Sequence, residues 1–88
     1  MQVEFLESFL KDIEKVDDSK VLAKIEQIIL NIESSKTLKE TPNLKKLIGY
    51  KNIFRIKFGN YRIGLYFEND VVELARVLHR KDIYRIFP

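Results

Sequence analysis

The chain has 88 residues, of which 45% are hydrophobic, and it contains no cysteine. This length predicts one domain over residues 1–88 that buries roughly 60–65% of its unfolded surface, and the lack of cysteine excludes disulfide scaffolds and thiolate metal sites. No segment reaches the roughly 18–20 apolar residues of a membrane span, and the first residues lack the basic cluster of a signal peptide, so we expect a cytoplasmic protein without a membrane partner.

The net charge of +3 is distributed unevenly along the chain. Residues 1–40 contain nine acidic and six basic residues, whereas residues 41–67 contain six basic residues and no acidic one. Residues 68–88 contain four of each, so the net positive charge comes from the middle of the chain. Such a local excess attracts a polyanion or an acidic protein, although a solvated lysine surface explains the charge alone equally well.

The first half of the sequence predicts a short strand followed by two helices. Val3 and Phe5 alternate with polar residues, as in a strand. Apolar residues at helical spacing over residues 9–16 predict the first helix, with Ser8 as its N-cap, and Asp17-Asp18-Ser19 should end it and cap the next. The second helix is the clearest element because it carries a wide apolar stripe of Val21, Leu22, Ile25, Ile28, Ile29 and Ile32.

The period of the apolar residues changes to two after Asn43, which predicts a three-stranded meander within residues 52–79. Gly59-Asn60 and Asn69-Asp70 are its expected turns. The last strand, residues 71–78, should lie inside the sheet because both of its faces are apolar. We expect one face to carry Val72, Leu74 and Leu78 and the other to carry Val71, Ala75 and Val77.

A short C-terminal helix from about Lys81 to Phe87 completes the predicted elements. Together they favour an α+β fold in which two N-terminal helices pack on one face of a small, mostly antiparallel sheet. If the apolar residues of the hairpin face these helices, Arg55, Lys57 and Arg62 share the opposite, uncovered face. Like charges opposite each other repel, which favours a cradle for an anion such as a phosphodiester, against the alternative of an ordinary solvated face.

The end of the chain adds groups that can transfer protons. His79 is the only histidine, it precedes Arg80, and Tyr84 follows Arg80 by one helical turn. Each of these side chains alone is more often structural, but beside a cationic face they point to chemistry on a phosphate. Clusters of His and Cys, a glycine-rich phosphate loop and acidic pairs in residues 41–67 are all missing, so we expect no metal and no cofactor.

Three segments resemble the RelE-type toxins of the RelE/ParE superfamily, and the likeness covers essentially the whole chain. They are K-L-x-G at residues 46–49, R-I-x-x-G-x-Y-R at residues 55–62 and H-R-x-x-x-Y at residues 79–84. The resemblance implies the toxin of a type II toxin–antitoxin system. It further implies a metal-independent, ribosome-dependent endoribonuclease that cleaves mRNA in the ribosomal A site by attack of a ribose 2′-hydroxyl on the adjacent phosphate.

The resemblance also implies roles for individual residues. Since arginine does not deprotonate in a protein, Arg55 cannot be the base, which leaves Tyr84 or His79 for proton transfer. The expected catalytic residues are Arg62, Arg80, Tyr84, Lys57 and His79. The expected RNA-binding residues are Arg55, Lys57, Lys51, Lys45 and Lys46.

The implied partners are mRNA, the ribosome and a cognate antitoxin whose extended or helical segment wraps the sheet, with operator DNA bound only by the toxin–antitoxin complex. Two other functions stay open. A ParE-like protein poisons DNA gyrase by binding and needs no catalytic groups, and an inactive module binds only antitoxin and operator. The presence of Arg62, His79, Arg80 and Tyr84 favours the ribonuclease.

Overall fold

The computed structural model describes residues 1–88 and confirms the predicted α+β architecture. Five strands form one sheet in the order β1-β5-β4-β3-β2, in which only the β1–β5 pair is parallel. A 3-10 turn at Leu38–Glu40 precedes β2. The elements are β1 Gln2–Phe5, α1 Glu7–Glu14, α2 Ser19–Ser34, β2 Leu44–Lys46, β3 Ile53–Phe58, β4 Tyr61–Glu68, β5 Val71–His79 and α3 Arg80–Ile86.

The two N-terminal helices cover one face of the sheet, as their apolar stripes predict. Phe9 of α1 and Ile25 and Ile32 of α2 pack in one buried core with Ile63 and Leu65 of β4. The Asp18 carboxylate accepts hydrogen bonds from the amides of Lys20 and Val21, at 2.8 and 3.4 Å, so the predicted cap of α2 is confirmed. None of the helices has the length and apolar character needed to span a lipid bilayer.

The predicted N-cap of α1 is wrong, because Leu6 occupies the N-cap position and the Ser8 side chain is hydrogen-bonded to β5 instead. β1 pairs with β5 only as far as Leu74, so the next part of β5 has β4 on one side but no strand on the side of β1. The Ser8 hydroxyl donates to the Ala75 carbonyl at 2.6 Å, and the Asp12 carboxylate accepts from the Val77 amide at 3.0 Å. Side chains of α1 thereby satisfy the backbone groups that the missing strand would have bonded.

A β-bulge reverses the faces that the sequence predicts for the end of β5. Gly64 pairs with Arg76 and Leu65 pairs with Leu74, so Ala75 is an extra residue in β5. Beyond it, Val77 faces the helices and Leu78 faces away, the opposite of the prediction. Simple alternation fails here because it assumes a strand with no insertion.

The second face of the sheet is partly covered by α3, so the predicted fully uncovered face is also wrong. Ile83 and Phe87 are buried there in a small second core with Ala75. Gly64 leaves room for the Phe87 ring, since a Cβ at this position would lie 2.5 Å from Phe87 Cδ2. The remaining part of this face, over β2, β3 and β4, stays open as a cleft beside α3.

Asp12 should be the most important charged residue for stability. It is 4% exposed and accepts two hydrogen bonds from the Arg76 guanidinium, at 2.7 and 2.9 Å, in addition to the Val77 amide. We expect Asp12→Asn to lower the free energy of unfolding by about 2 kcal/mol, because the amide cannot accept all three hydrogen bonds and the partly buried Arg76 guanidinium loses its counter-charge. Urea denaturation followed by circular dichroism measures this, with Glu7→Gln as control, since Glu7 pairs with Lys11 in solvent. A loss of stability as small as that of the control would contradict the prediction.

Candidate active site

A cleft of about 340 Å³ lies on the sheet face opposite α1 and α2, between β2–β4 and α3. Its wall combines cationic side chains of the three strands with one phenol from α3. The lining residues are Asn43, Leu44, Lys45, Arg55, Lys57, Arg62 and Tyr84. The fold brings together no group of three or more His, Asp or Glu side chains with which to hold a metal ion.

The cations of the cleft lie directly opposite one another on neighbouring strands. Lys57 of β3 pairs with Arg62 of β4, and Lys45 of β2 pairs with Arg55 of β3. Like charges in such positions destabilise a sheet. None of these four residues belongs to an ion pair, because the three ion pairs of the chain are Glu7–Lys11, Asp12–Arg76 and Asp82–Arg85. The cleft is therefore built to receive an anion.

Arg62 is held in a fixed position at the floor of the cleft. It is 8% exposed, and its Nη1 donates to the carbonyls of Gly59 at 3.0 Å and Tyr61 at 2.8 Å. A guanidinium has five N–H donors, so these two bonds leave others for an anion in the cleft. Because its orientation is set in advance, Arg62 can stabilise developing charge without first rearranging.

Tyr84 extends from α3 into the cationic environment. The Arg55 guanidinium carbon lies 4.8 Å from the centre of the Tyr84 ring, a cation–π contact. Arg62 lowers the pKa of Tyr84 the most, by donating towards the phenol oxygen. Desolvation opposes this and raises the pKa, and the charges of Arg62, Arg55 and Arg80 lower it further, so the net shift is downward. Tyr84 stays 61% exposed, so its phenol oxygen can reach a bound substrate.

The structure brings most of the predicted site residues together. Lys45, Arg55, Lys57, Arg62 and Tyr84 all line the cleft. Arg80 does not line the cleft, but it is near enough for its charge to act on Tyr84.

Lys46 and Lys51 lie outside the cleft. Lys46 is paired with Phe54 on the opposite face of the sheet, because successive residues of a strand alternate. Lys51 is exposed in the loop between β2 and β3.

His79, an expected catalytic residue whose side-chain direction the sequence leaves open, does not join this group. Its Nδ1 accepts a hydrogen bond from the Lys81 amide at 3.2 Å, which caps α3. Its ring packs edge-on against Tyr61, its partner across the strands, with 5.8 Å between the ring centres. The bulge at Ala75 turns His79 to the side of α1 and α2, whereas an uninterrupted strand would have turned it to the cleft.

Sequence reasoning missed Asn43 and Leu44 as cleft residues, because β2 is only three residues long and shows no alternation. It also missed Gly64 and Phe87, which hold α3 in place. One signal was available, since Phe87 follows Ile83 by four residues and both are apolar. That spacing predicts a buried face on the C-terminal helix, with Tyr84 beside it rather than within it.

Comparison with known proteins decides the family. Residues 3–84 match the family model described as the ParE toxin of type II toxin–antitoxin system, parDE. The chain belongs to the RelE/ParE toxin superfamily. This RelE/ParE chain is 40% identical over 89 residues to Toxin RelE3 of Methanocaldococcus jannaschii, with 100% of both chains covered.

Solved RelE structures share the fold of this RelE/ParE toxin. The crystal structure of the RelB-RelE antitoxin-toxin complex from Methanococcus jannaschii matches with a TM-score of 0.83 and 39% identity, covering 97% of this chain and 99% of that one. The isolated E. coli RelE toxin matches with a TM-score of 0.69 and 21% identity, covering 98% of each chain. The family and the fold that the three sequence segments predict are thus confirmed, and the chain is a toxin of the RelE type.

The packing of Phe87 on Gly64 should control the acidity of Tyr84. We expect Phe87→Ala, and equally Gly64→Ala, to release α3 and raise the pKa of Tyr84 towards its ordinary value of about 10. The ultraviolet absorbance of tyrosinate measures this, with a Tyr84→Phe titration subtracted for the other tyrosines. Ile86→Ala is the matched control, because Ile86 is 38% exposed whereas Phe87 is 5% exposed. An unchanged Tyr84 titration in Phe87→Ala would show that α3 is held by other contacts.

Proposed function

We propose that this chain is the toxin of a type II toxin–antitoxin system and acts in the cytoplasm as an endoribonuclease on mRNA in the ribosomal A site. One observation carries the proposal: a fixed arginine, Arg62, and a tyrosine of lowered pKa, Tyr84, face the same cationic cleft. A protein that acts only by binding needs cations but has no use for an acidified phenol. Cleavage of a phosphodiester uses both.

The arrangement suits attack by a ribose 2′-hydroxyl on the adjacent phosphate. In this scheme the Tyr84 phenolate accepts the 2′-hydroxyl proton, O2′ attacks phosphorus, and the bond from phosphorus to O5′ breaks. Arg62 and Arg55 hold the non-bridging oxygens, whose negative charge grows in the pentacoordinate transition state. The Lys57 ammonium, opposite Arg62, protonates the departing O5′. The products are a 2′,3′-cyclic phosphate and a 5′-hydroxyl.

The neutralising partner in this proposal is a cognate antitoxin. The solved Methanococcus jannaschii relative is a RelB-RelE complex, which supports an antitoxin of the same kind for this chain. An antitoxin segment that covers the cleft would supply the anionic or polar groups that the unpaired cations lack. Operator DNA would then be bound by the complex rather than by the toxin alone.

Binding to DNA gyrase is the second candidate, because the matching family model is described as a ParE toxin. This function would explain the cations as a docking surface. It would leave the position of Tyr84 beneath Arg55 without a role. The two candidates differ in what they do to a cell, since one cuts mRNA and the other damages DNA.

Cleavage should depend on Arg62 and Tyr84. We expect Tyr84→Phe and Arg62→Gln each to slow cleavage by about 10²–10³-fold, because one removes the base and the other a fixed donor to the transition state. Arg80→Ala should cost less, since it acts on Tyr84 only through charge. Primer extension on mRNA from expressing cells and on purified translating ribosomes measures the cuts. Lys36→Gln is the control, because Lys36 lines no part of the cleft. Undiminished cuts and toxicity in both variants would favour the gyrase inhibitor.

The pH dependence of cleavage should reveal Tyr84 as the base. Below the pKa of Tyr84 the phenolate fraction, and with it the rate, rises about tenfold per pH unit, and it levels off above that pKa. Arg55 lowers this pKa, so Arg55→Gln should move the rising limb to higher pH and slow the reaction most near neutrality. Lys51→Gln is the control, because Lys51 lies outside the cleft, and it should leave the rise of the cleavage rate with pH unchanged. Identical limbs in wild type and Arg55→Gln would mean that another group is the base.

A further inference from the structure

A groove continues from the cleft across the edge of the sheet to α2. The cleft shares Asn43 and Lys57 with a cavity of about 60 Å³ that reaches Lys24. This cavity shares Asn43 and Lys24 with a larger one of about 540 Å³ that reaches Lys20. The three spaces adjoin through common residues, so a chain-like ligand can pass from the cleft to α2 without leaving the surface. We call the part beyond Lys57 the α2 groove.

The α2 groove is positively charged and its cations are free. Lys20 and Lys24 lie one helical turn apart and therefore on one side of α2. Neither belongs to an ion pair. The one acidic residue in the groove, Asp18, has one of its two carboxylate oxygens, Oδ1, engaged by the Lys20 and Val21 amides. The positive charge of the cleft thus extends along the groove, although most of the acidic residues of the chain lie in its first 40 positions.

Neutral hydrogen-bond donors line the space between the lysines and the cleft. The Asn31 side-chain oxygen accepts from Gln27 at 3.0 Å, which leaves its amide NH₂ free to donate. Thr41 is 7% exposed and its hydroxyl oxygen has no hydrogen-bond partner in the chain. Buried polar groups without a partner are rare, and Thr41 is one of the residues that line the cavity of about 60 Å³. Amide and hydroxyl donors beside lysines are the groups that bind phosphate and sugar oxygens.

We propose that the α2 groove binds the phosphodiester backbone of nucleotides that flank the scissile phosphate, with Lys24 and Lys20 each neutralising one phosphate. This rests on the proposed ribonuclease function and adds a subsite to it. Lys57 belongs to both spaces, so one strand can occupy the cleft and the groove together. The contacts reach the backbone and not base edges, so the groove adds affinity without sequence preference.

The test measures how affinity depends on the length of the bound RNA. The probes are single-stranded oligoribonucleotides with one 2′-deoxynucleotide at the cleavage position, extended stepwise from either end. For wild type, extension at one end should tighten binding, and each phosphate gained should steepen the plot of log K against log salt by about 0.7. Lys20→Gln/Lys24→Gln should lose this gain in affinity with length. Its slope of log K against log salt for the long probes should be shallower than that of wild type by about 1.4, while binding of the shortest probe stays unchanged.

The matched control is Lys36→Gln/Lys39→Gln, which changes the net charge equally at a surface away from the groove. Equal losses in the two double variants, or no gain with length in wild type, would overturn the proposal. If Lys20→Gln/Lys24→Gln keeps the length gain but loses affinity for ribosomes without mRNA, the groove binds ribosomal RNA and the flanking-strand assignment is wrong.

Cleavage assays separate this inference from the proposed function. If wild type cuts mRNA but its affinity does not increase with the length of the flanking RNA, only the assignment of the α2 groove is contradicted. A wild type that shows the gain but never cuts would contradict the ribonuclease alone. Circular dichroism of both double variants should match wild type, because all four lysines are exposed.

Discussion

The packing of the Phe87 ring into the space above Gly64 is the contact on which the cleft depends. It fastens α3 to the sheet together with Ile83, and α3 alone brings a phenol to the cations of β2, β3 and β4. Only glycine at position 64 permits this approach, since a Cβ there would lie 2.5 Å from the ring. Without it the sheet would still carry its cations, but Tyr84 would have no fixed place among them.

The cleft stores unfavourable electrostatic energy that an anion can release. Two pairs of like charges lie opposite each other on adjacent strands, and no acidic side chain relieves them. Arg62 is fixed by two carbonyls, so its charge cannot turn away from its neighbours. The same charges that repel one another favour the phenolate of Tyr84 and would favour the growing charge of a phosphorane. Binding and acid–base chemistry would therefore draw on one arrangement of cations.

The sequence predicted the cationic face correctly where the register of the strands follows from a short turn. Gly59-Asn60 connects β3 to β4 and fixes the pairing of Lys57 with Arg62, so alternation was enough to put Arg55, Lys57 and Arg62 on one side. Alternation failed for Val77 and Leu78 because one extra residue, Ala75, reverses every face after it, and nothing about an alanine in an apolar run marks a bulge. The cover that α3 provides depends on contacts between residues distant in the chain, which periodicity does not report. The resemblance gave the family, which the comparison confirmed, whereas the assignment of Tyr84 as base is a proposal from geometry.

The chemistry of the cut ends tests the central claim most directly. Purified toxin with programmed ribosomes should leave a 2′,3′-cyclic phosphate on the upstream fragment and a 5′-hydroxyl on the downstream one, as mass spectrometry of the products can establish. A single 2′-deoxynucleotide before the scissile phosphate should abolish the cut, because the attacking oxygen is then missing. Fragments with a 5′-phosphate, or full cleavage of the 2′-deoxy substrate, would contradict attack by the 2′-hydroxyl and with it the role assigned to Tyr84.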